Sequence, residues 1–323
     1  MIMAVNESSA QVVSADTLRL RLSEPGPLRD LTLAGGDYRG LDFSQARFER
    51  VDARGARFGG ANLSDSLWRD CQMSDADFSG CRINTMTLID CTLDRAKFVG
   101  SELIGGRWLR GGGSALDFSQ ARLQGVAFIS GLFDGMVLTA GTVQRCQWDD
   151  ATFQGLDAQS VGCKQVRMTH CRFDSARFAL ANLQECAFDE STFQDADFSA
   201  CCSDSTSFYR CKAERIRFAG AQLRQAIFSH AVFRDADFSG AVLEKANFND
   251  ADVTRSVFAG AQLRYAQCQG LQAAQASFVG ANLSDANFHG AELEGCDWRD
   301  ANRQSIRPED SERLAAQRWQ PTL

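Results

Sequence analysis

Cysteine and histidine are the residue types in this sequence with the greatest scope for nucleophilic, redox or metal chemistry. The 323-residue chain has twelve cysteines and three histidines, His170, His230 and His289. No Cys-x-x-Cys pair, phosphate-binding loop or dinucleotide-binding turn accompanies them. His170 precedes Cys171, which makes these two the nominal Cys–His pair of the chain. Whether such side chains meet depends on the elements that carry them.

A strict five-residue period organises most of the chain. Steps of five from Leu33 to Trp298 pass through 54 positions, which include all 23 phenylalanines and four of the five tryptophans. The residue two places before each position is alanine in 23 cases and cysteine in nine. A spacing of two keeps side chains on one face of a strand, whereas five residues of helix turn by about 500° and would scatter them. The pattern therefore predicts short strands separated by corners.

A longer period of 20 residues sets the number of corners in a coil. We call the 54 positions of the five-residue series large positions, and the residues two places before them small positions. Every fourth large position from Tyr38 forms a column made mostly of phenylalanine, and the column from Phe43 is mostly leucine. The residues before the phenylalanine column alternate in charge, beginning with Asp37 and Arg57, as expected of neighbouring strands. One corner recurs as glycine, which predicts a backbone angle that glycine adopts easily: Gly40, Gly60, Gly80, Gly100, Gly220, Gly240, Gly260 and Gly280. We expect about 13 stacked coils, each with four strands.

Several segments resemble the A-(D/N)-(L/F)-x-x motif of the pentapeptide-repeat family. They include residues 61–65, 76–80 and 281–295, and the similarity extends over about 31–302. The resemblance implies an all-β fold, a right-handed quadrilateral parallel β-helix. We divide the chain into an N-terminal extension with a capping strand (1–27), the β-helix (28–302) and a C-terminal capping or dimerisation helix (303–323).

The two ends of such a rod would expose hydrophobic coils and therefore need cover. Leu18, Leu20 and Leu22 alternate with arginines, which predicts a capping strand at the N-terminal end. In the C-terminal helix, Leu314 and Trp319 are suited to cover the last coil. A two-fold dimer through this helix is the alternative, so we expect either a monomer or such a dimer.

Two stretches fit the period poorly. In residues 105–113 a large position falls on Gly113, and in residues 201–213 large positions fall on Ser203 and Ala213. Thin or irregular coils are the favoured interpretation. The alternative is a surface loop whose length is a multiple of five.

The repeat accounts for the positions of the cysteines without a catalytic, disulfide or metal-binding role. Eleven of them occupy inward positions and Cys202 points outward. Cys71 and Cys91 lie in adjacent coils near a permissible disulfide distance, but reduced thiols that pack as small apolar residues are the better interpretation. His170 and His230 should lie three coils apart, about 14 Å, which is too far to share a metal ion. We predict no catalytic, cofactor-binding or metal site, and no enzymatic activity.

Charge and hydropathy narrow the remaining classes of protein. The net charge is −7, with the excess of acidic residues in the second half of the repeat region, which argues against direct nucleic-acid binding. No segment approaches the roughly 18 apolar residues of a membrane span, and the first residues lack a secretion signal. We therefore predict a cytoplasmic protein.

Three functions remain open. The first is a non-catalytic interaction or scaffold protein that binds an unidentified protein through its faces or its capped end. The family resemblance implies a second, a DNA mimic that binds DNA gyrase, a type II topoisomerase, and protects it from quinolones. Acidic residues of the last coils would carry that mimicry: Asp235, Asp237, Glu244, Asp250, Asp252, Glu292, Glu294, Asp297 and Asp300. The third, also implied by the family, is an effector or accessory linked to a bacterial secretion system.

Overall fold

The backbone winds into a parallel β-solenoid with four faces. The computed structural model describes residues 11–306. Parallel pairing joins residues that are 20 apart, from Leu28 with Phe48 to Asn282 with Asn302. Each coil makes four such pairings. This architecture confirms the β-helix, its 20-residue coil and its four strand positions.

The faces are named after their columns of outward, paired residues. Face 1 carries the column from Thr32 to Glu292, face 2 that from Asp37 to Asp297, face 3 that from Asp42 to Asn302, and face 4 that from Arg47 to Asn287. Consecutive faces meet at corners whose residue numbers are multiples of five.

Short strands occupy three of these faces and follow one N-terminal helix. The helix is α1 (Ala15–Leu22). Face 4 carries an eight-stranded sheet of β1 (Leu28–Arg29), β2 (Arg47–Glu49), β3 (Leu67–Arg69), β5 (Thr87–Ile89), β7 (Arg107–Leu109), β9 (Ala127–Ile129), β11 (Gln147–Asp149) and β13 (Arg167–Thr169), in that order. Face 3 carries β4 (Arg82–Asn84), β6 (Glu102–Ile104), β8 (Arg122–Gln124), β10 (Thr142–Gln144) and β12 (Gly162–Lys164), and face 1 carries β14 (Lys212–Glu214) and β15 (Val232–Arg234). Face 2 pairs through single bridges such as Asp37 with Arg57.

The large and small positions both point into the rod, as the five-residue period predicts. Phe58, Phe78 and Phe98 are fully buried and lie above one another, and Leu63 and Leu123 are buried in the adjacent column. Alanine at the small positions lets the backbone approach the core closely, so that the rings fill the centre of the rod.

Every corner adopts a positive φ, including those without glycine. Gly60 has φ 68°, as predicted, but Leu180 holds φ 60° in the same column and Arg50 holds 52° in another. The left-handed conformation is unfavourable for residues with a Cβ. The hydrogen bonds of the neighbouring coils impose it, because each corner continues a strand whose pairing is already set. Glycine thus marks one corner in the sequence, although the geometry is common to all four.

The predicted N-terminal capping strand is wrong, because residues 15–22 form α1. The Ser14 hydroxyl caps the helix by accepting a hydrogen bond from the Thr17 amide, at 3.2 Å. Leu18 is fully buried and Leu22 packs against the core, whereas Leu20 is 70% exposed. The buried leucines are four residues apart, which is the repeat of a helix face rather than of a strand. The segment still covers the first coil: the Tyr38 hydroxyl donates to the carbonyl of Val13, at 2.6 Å.

The two poorly fitting stretches are coils in register rather than inserted loops. Gly112 pairs with both Thr92 and Leu132, and Cys202 pairs with both Asn182 and Gln222. The C-terminal helix, with Leu314 and Trp319, lies outside the described residues.

Candidate functional site

The cysteines are placed for packing rather than for nucleophilic attack. All twelve are free thiols, and Cys202 is the exposed one. Burial raises the pKa of the Cys81 thiol to about 12 and that of Cys146 to about 11. A protonated, buried thiol is a poor nucleophile. The nominal pair is also separated, since Cys171 is buried while His170 lies on an exposed corner.

His170 lies between two carboxylates. Its Nδ1 is 3.0 Å from Oδ1 of Asp149, and its Nε2 is 3.7 Å from Oε2 of Glu190 in the next coil. The hydrogen bond to Asp149 raises the pKa of His170 above its usual value of 6.5. Because both ring nitrogens face carboxylates, the arrangement favours a charged imidazolium over a base that activates a hydroxyl or thiol.

The nine predicted acidic residues spread over three faces and their corners. Five lie on face 1 or its corners: Asp235, Asp250, Asp252, Glu292 and Glu294. Asp237 and Asp297 lie on face 2, Asp300 is at the corner that follows it, and Glu244 is on face 3. The structure thus gathers five of them along one side of the rod.

Arginines neutralise several members of this acidic set. Asp235 takes a bidentate ion pair from Arg255, with Nε–Oδ1 at 2.7 Å and Nη2–Oδ2 at 2.6 Å. The same contact lowers the pKa of Asp235. Arg234 contacts the buried Asp252, at 2.7 Å. Further ion pairs join Arg299 to Asp297 at 2.6 Å and Arg224 to Glu244 at 3.7 Å, and Nδ1 of His230 lies 4.0 Å from Oδ2 of Asp250. Glu292, Glu294 and Asp300 are exposed at the C-terminal end of the described rod.

Bidentate pairs at the corners were not predicted from the sequence. In each, an arginine reaches back to an aspartate 20 residues earlier: Arg50 to Asp30, Arg95 to Asp75, Arg110 to Asp90, Arg215 to Asp195 and Arg255 to Asp235. The sequence signal was Asp and Arg at the same corner of successive coils. The alternation that was predicted, on face 2, is confirmed by Arg57 with Asp37 at 2.9 Å and Arg217 with Asp197 at 3.0 Å.

Face 1 contains two recesses. Each lies at a coil in which a large position is occupied by a small residue. The first, about 400 Å³, surrounds residues 111–113. The second, about 610 Å³, surrounds Ala213 and is lined by Arg172, Lys212 and Arg234. Both coincide with the stretches that fitted the period poorly. The sequence identified these coils but not the concave surface that they create.

Within residues 11–306, no group of three or more His, Cys, Asp or Glu side chains is arranged to hold a metal ion. No helix in that part of the chain has the length and apolar character needed to cross a membrane.

Family models and solved structures of repeat proteins resemble this chain. A model described as a pentapeptide repeat region matches residues 30–98 and 191–268, and one described as pentapeptide repeats in eight copies matches 163–202 and 261–300; together they cover more than half of the chain. A comparison of the sequence with curated proteins gives no match.

The chain also shows low-scoring similarity to three solved structures. HetL, a pentapeptide repeat protein involved in heterocyst differentiation regulation from the cyanobacterium Nostoc sp. strain PCC 7120, is 19% identical over 82% of this chain and 88% of its own, with a TM-score of 0.28. QnrB1, a plasmid-mediated fluoroquinolone resistance protein, is 16% identical over 73% of this chain and 97% of its own, with a TM-score of 0.31. The A-module of the Azotobacter vinelandii mannuronan C-5 epimerase AlgE4 is 9% identical over 92% of each chain, with a TM-score of 0.36.

Proposed function

Since this chain belongs to the pentapeptide-repeat family, we propose that it is a non-catalytic interaction protein that binds another protein through the flat faces of its rod. The observation that carries the proposal is the continuous 20-residue register from Leu28 to Asn302. It holds the outward side chains in columns over a core of stacked rings, and successive side chains within a column are about 4.8 Å apart. Such a surface is preorganised, so that a partner orders little of it on binding.

The distribution of reactive groups supports binding over catalysis. Most thiols are buried, and His170 faces two carboxylates. Flat faces with shallow recesses suit extended contact with a macromolecule better than enclosure of a small substrate.

Photo-cross-linking from each face tests the proposal. A photoreactive phenylalanine analogue would replace one exposed residue per face: Gln72 on face 1, Lys97 on face 2, Gln184 on face 3 and Gln147 on face 4. We expect irradiation in cells of the native organism to give a discrete adduct from at least one face and none from the opposite face. Absence of a discrete adduct from all four would contradict the proposal.

A DNA mimic directed at a type II topoisomerase is the second candidate, favoured by the five acidic residues along face 1. Its charge is reduced by the arginines on Asp235 and Asp252. The exposed Glu292 and Glu294 would then contribute most of the negative electrostatic field of face 1. A gyrase supercoiling assay separates the candidates: a mimic inhibits supercoiling or restores it in ciprofloxacin, and Glu292→Gln with Glu294→Gln weakens that effect. A chain with neither effect is not such a mimic.

A further inference from the structure

The recess around residues 111–113 is built into the backbone of face 1. Three consecutive glycines form this part of the coil, and their coil pairs with those before and after it. A Cβ at Gly111 would overlap the carbonyl oxygen of Cys91, and one at Gly112 would overlap that of Leu132. The backbone therefore occupies space that side chains fill in other coils. The result is an open recess of about 400 Å³.

An exposed apolar side chain borders this recess, and an apolar column lies on the neighbouring face. Leu132, on its rim, is 65% exposed, although it lies in a column of mostly polar residues. Around the corner, on face 4, the half-buried Ile89, Leu109 and Ile129 form a column in adjacent strands. An exposed leucine beside an apolar column gives a partner hydrophobic area to bury.

The charge around the recess is negative. Asp90 is neutralised by a bidentate contact from Arg110, at 3.0 and 2.9 Å. Oδ1 of Asp94 accepts hydrogen bonds from the backbone amide and the hydroxyl of Ser114. Oδ1 of Asp134 accepts one from the backbone amide of Gln154. These bonds orient the two carboxylates and leave each Oδ2 able to accept from a cation. Within the described residues, neither carboxylate has an ion pair.

We infer that this recess binds a protein segment that places a lysine or arginine beside a bulky aliphatic side chain. The cation would lie between Asp94 and Asp134, and the aliphatic group would pack on Leu132 over the glycine floor. The inference rests on the proposed function and adds the chemistry of the partner. The second recess differs, because Arg172, Lys212 and Arg234 line it together with Asp174 and Glu214. Arg172 already pairs with Asp174, at 3.4 Å, so this recess should bind the same segment more weakly.

Peptide selection tests the inference without knowledge of the natural partner. The probe is a phage library of random dodecapeptides, selected on the full chain and counter-selected on a triple variant, Asp94→Asn, Asp134→Asn and Leu132→Ser. Asparagine keeps the Oδ1 acceptor at both positions, and the exposed leucine contributes little to the fold. We expect enriched peptides to be basic, with a lysine or arginine next to Leu, Ile or Val.

Affinities of one enriched peptide for variants of the carboxylates and of the leucine, made separately, then locate the contact. Asp94→Asn with Asp134→Asn should weaken binding about tenfold and remove its dependence on salt. Leu132→Ser should also weaken it about tenfold. The matched controls are Asp174→Asn, at the equivalent position of the other recess, and Leu180→Ser, at a leucine that is 66% exposed on a different edge; neither should change the affinity.

Three outcomes would overturn the inference: no enriched class of peptide, enrichment of acidic peptides, or a peptide that binds the recess variants as tightly as the unaltered chain. Failure here leaves the proposed function testable by the face cross-links. If the cross-linked adducts persist in the triple variant, the proposed interaction function stands and this recess is not the contact.

Discussion

The rings of Phe58 and Phe78, which are 20 residues apart in sequence, lie parallel in adjacent coils with centroids 4.9 Å apart and planes inclined by 3°. Phe98 continues the stack at 4.9 Å from Phe78. Each ring is buried between two others, so the stack couples neighbouring coils through contacts beyond their backbone hydrogen bonds.

Phe78→Ala should therefore destabilise the rod by about 3–5 kcal/mol, through the lost ring contacts and the cavity left in the stack. Phe78→Leu is the matched control, because leucine fills large positions in the neighbouring column; it should cost about 1.5 kcal/mol or less. Urea unfolding followed by tryptophan fluorescence gives both values. Equal costs for the two variants would contradict this account, because they would show that the apolar volume of leucine does not replace the ring.

Thiol labelling should distinguish the exposed cysteine from the buried ones. In the native protein we expect iodoacetamide to label Cys202 rapidly, since it is exposed. Cys81 and Cys171 should stay unlabelled, because burial raises the pKa of each to about 12 and excludes the reagent. Mass spectrometry of labelled peptides provides the measurement, with Cys202→Ser as the control. Rapid labelling of Cys81 would argue against a tightly packed interior.

The stability should depend on pH near neutrality through His170. Its folded pKa is raised by Asp149, so the His170 contribution is fully present below the unfolded pKa of about 6.5 and is lost as the pH rises through the folded pKa. NMR titration should show that Asp149→Asn lowers the pKa of His170. Glu190→Gln should lower it less, because Glu190 is 3.7 Å from the ring and Asp149 is 3.0 Å away. An unchanged His170 titration in Asp149→Asn would refute this assignment.

Leu180 holds a strained corner that glycine would relieve. It has φ 60° and is 66% exposed, in a column where Gly60 and Gly220 hold φ 68° and 67°. Leu180→Gly should be more stable than Leu180→Ala by about 0.5–1 kcal/mol, because removal of the Cβ strain exceeds the added entropy of the unfolded chain. Guanidinium unfolding compares the two variants. A more stable alanine variant would mean that neighbouring coils relax the strain.

The C-terminal end of the described rod should need cover. Phe288, Leu293, Trp298 and Ile306 border an open recess of about 410 Å³ at that end. A chain that stops after Ile306 should self-associate with increasing concentration, as light scattering would reveal, whereas the intact chain should keep one mass over the same range of concentration. The mass of the intact chain separates a capped monomer from the dimer proposed through Leu314 and Trp319. A truncated chain that stays monomeric would show that the end coil needs no cover.

Most of the architecture follows from the sequence because a five-residue repeat allows few folds. Phe58, Phe78 and Phe98 had to share one column once the 20-residue period was recognised. The N-terminal segment was mispredicted because alternation of three leucines fits a strand locally, whereas the burial of Leu18 and the packing of Leu22 depend on the coil they cover.

Sequence periodicity by itself determined the coil length, the inward residues and the burial of the cysteines, since each is a repeated local property. Tertiary structure alone decided which charges meet at the corners and where the surface is concave. Arg255 reaches Asp235 rather than solvent because stacking places their corners side by side, and the glycines at 111–113 form a recess because the coils on either side keep their full width.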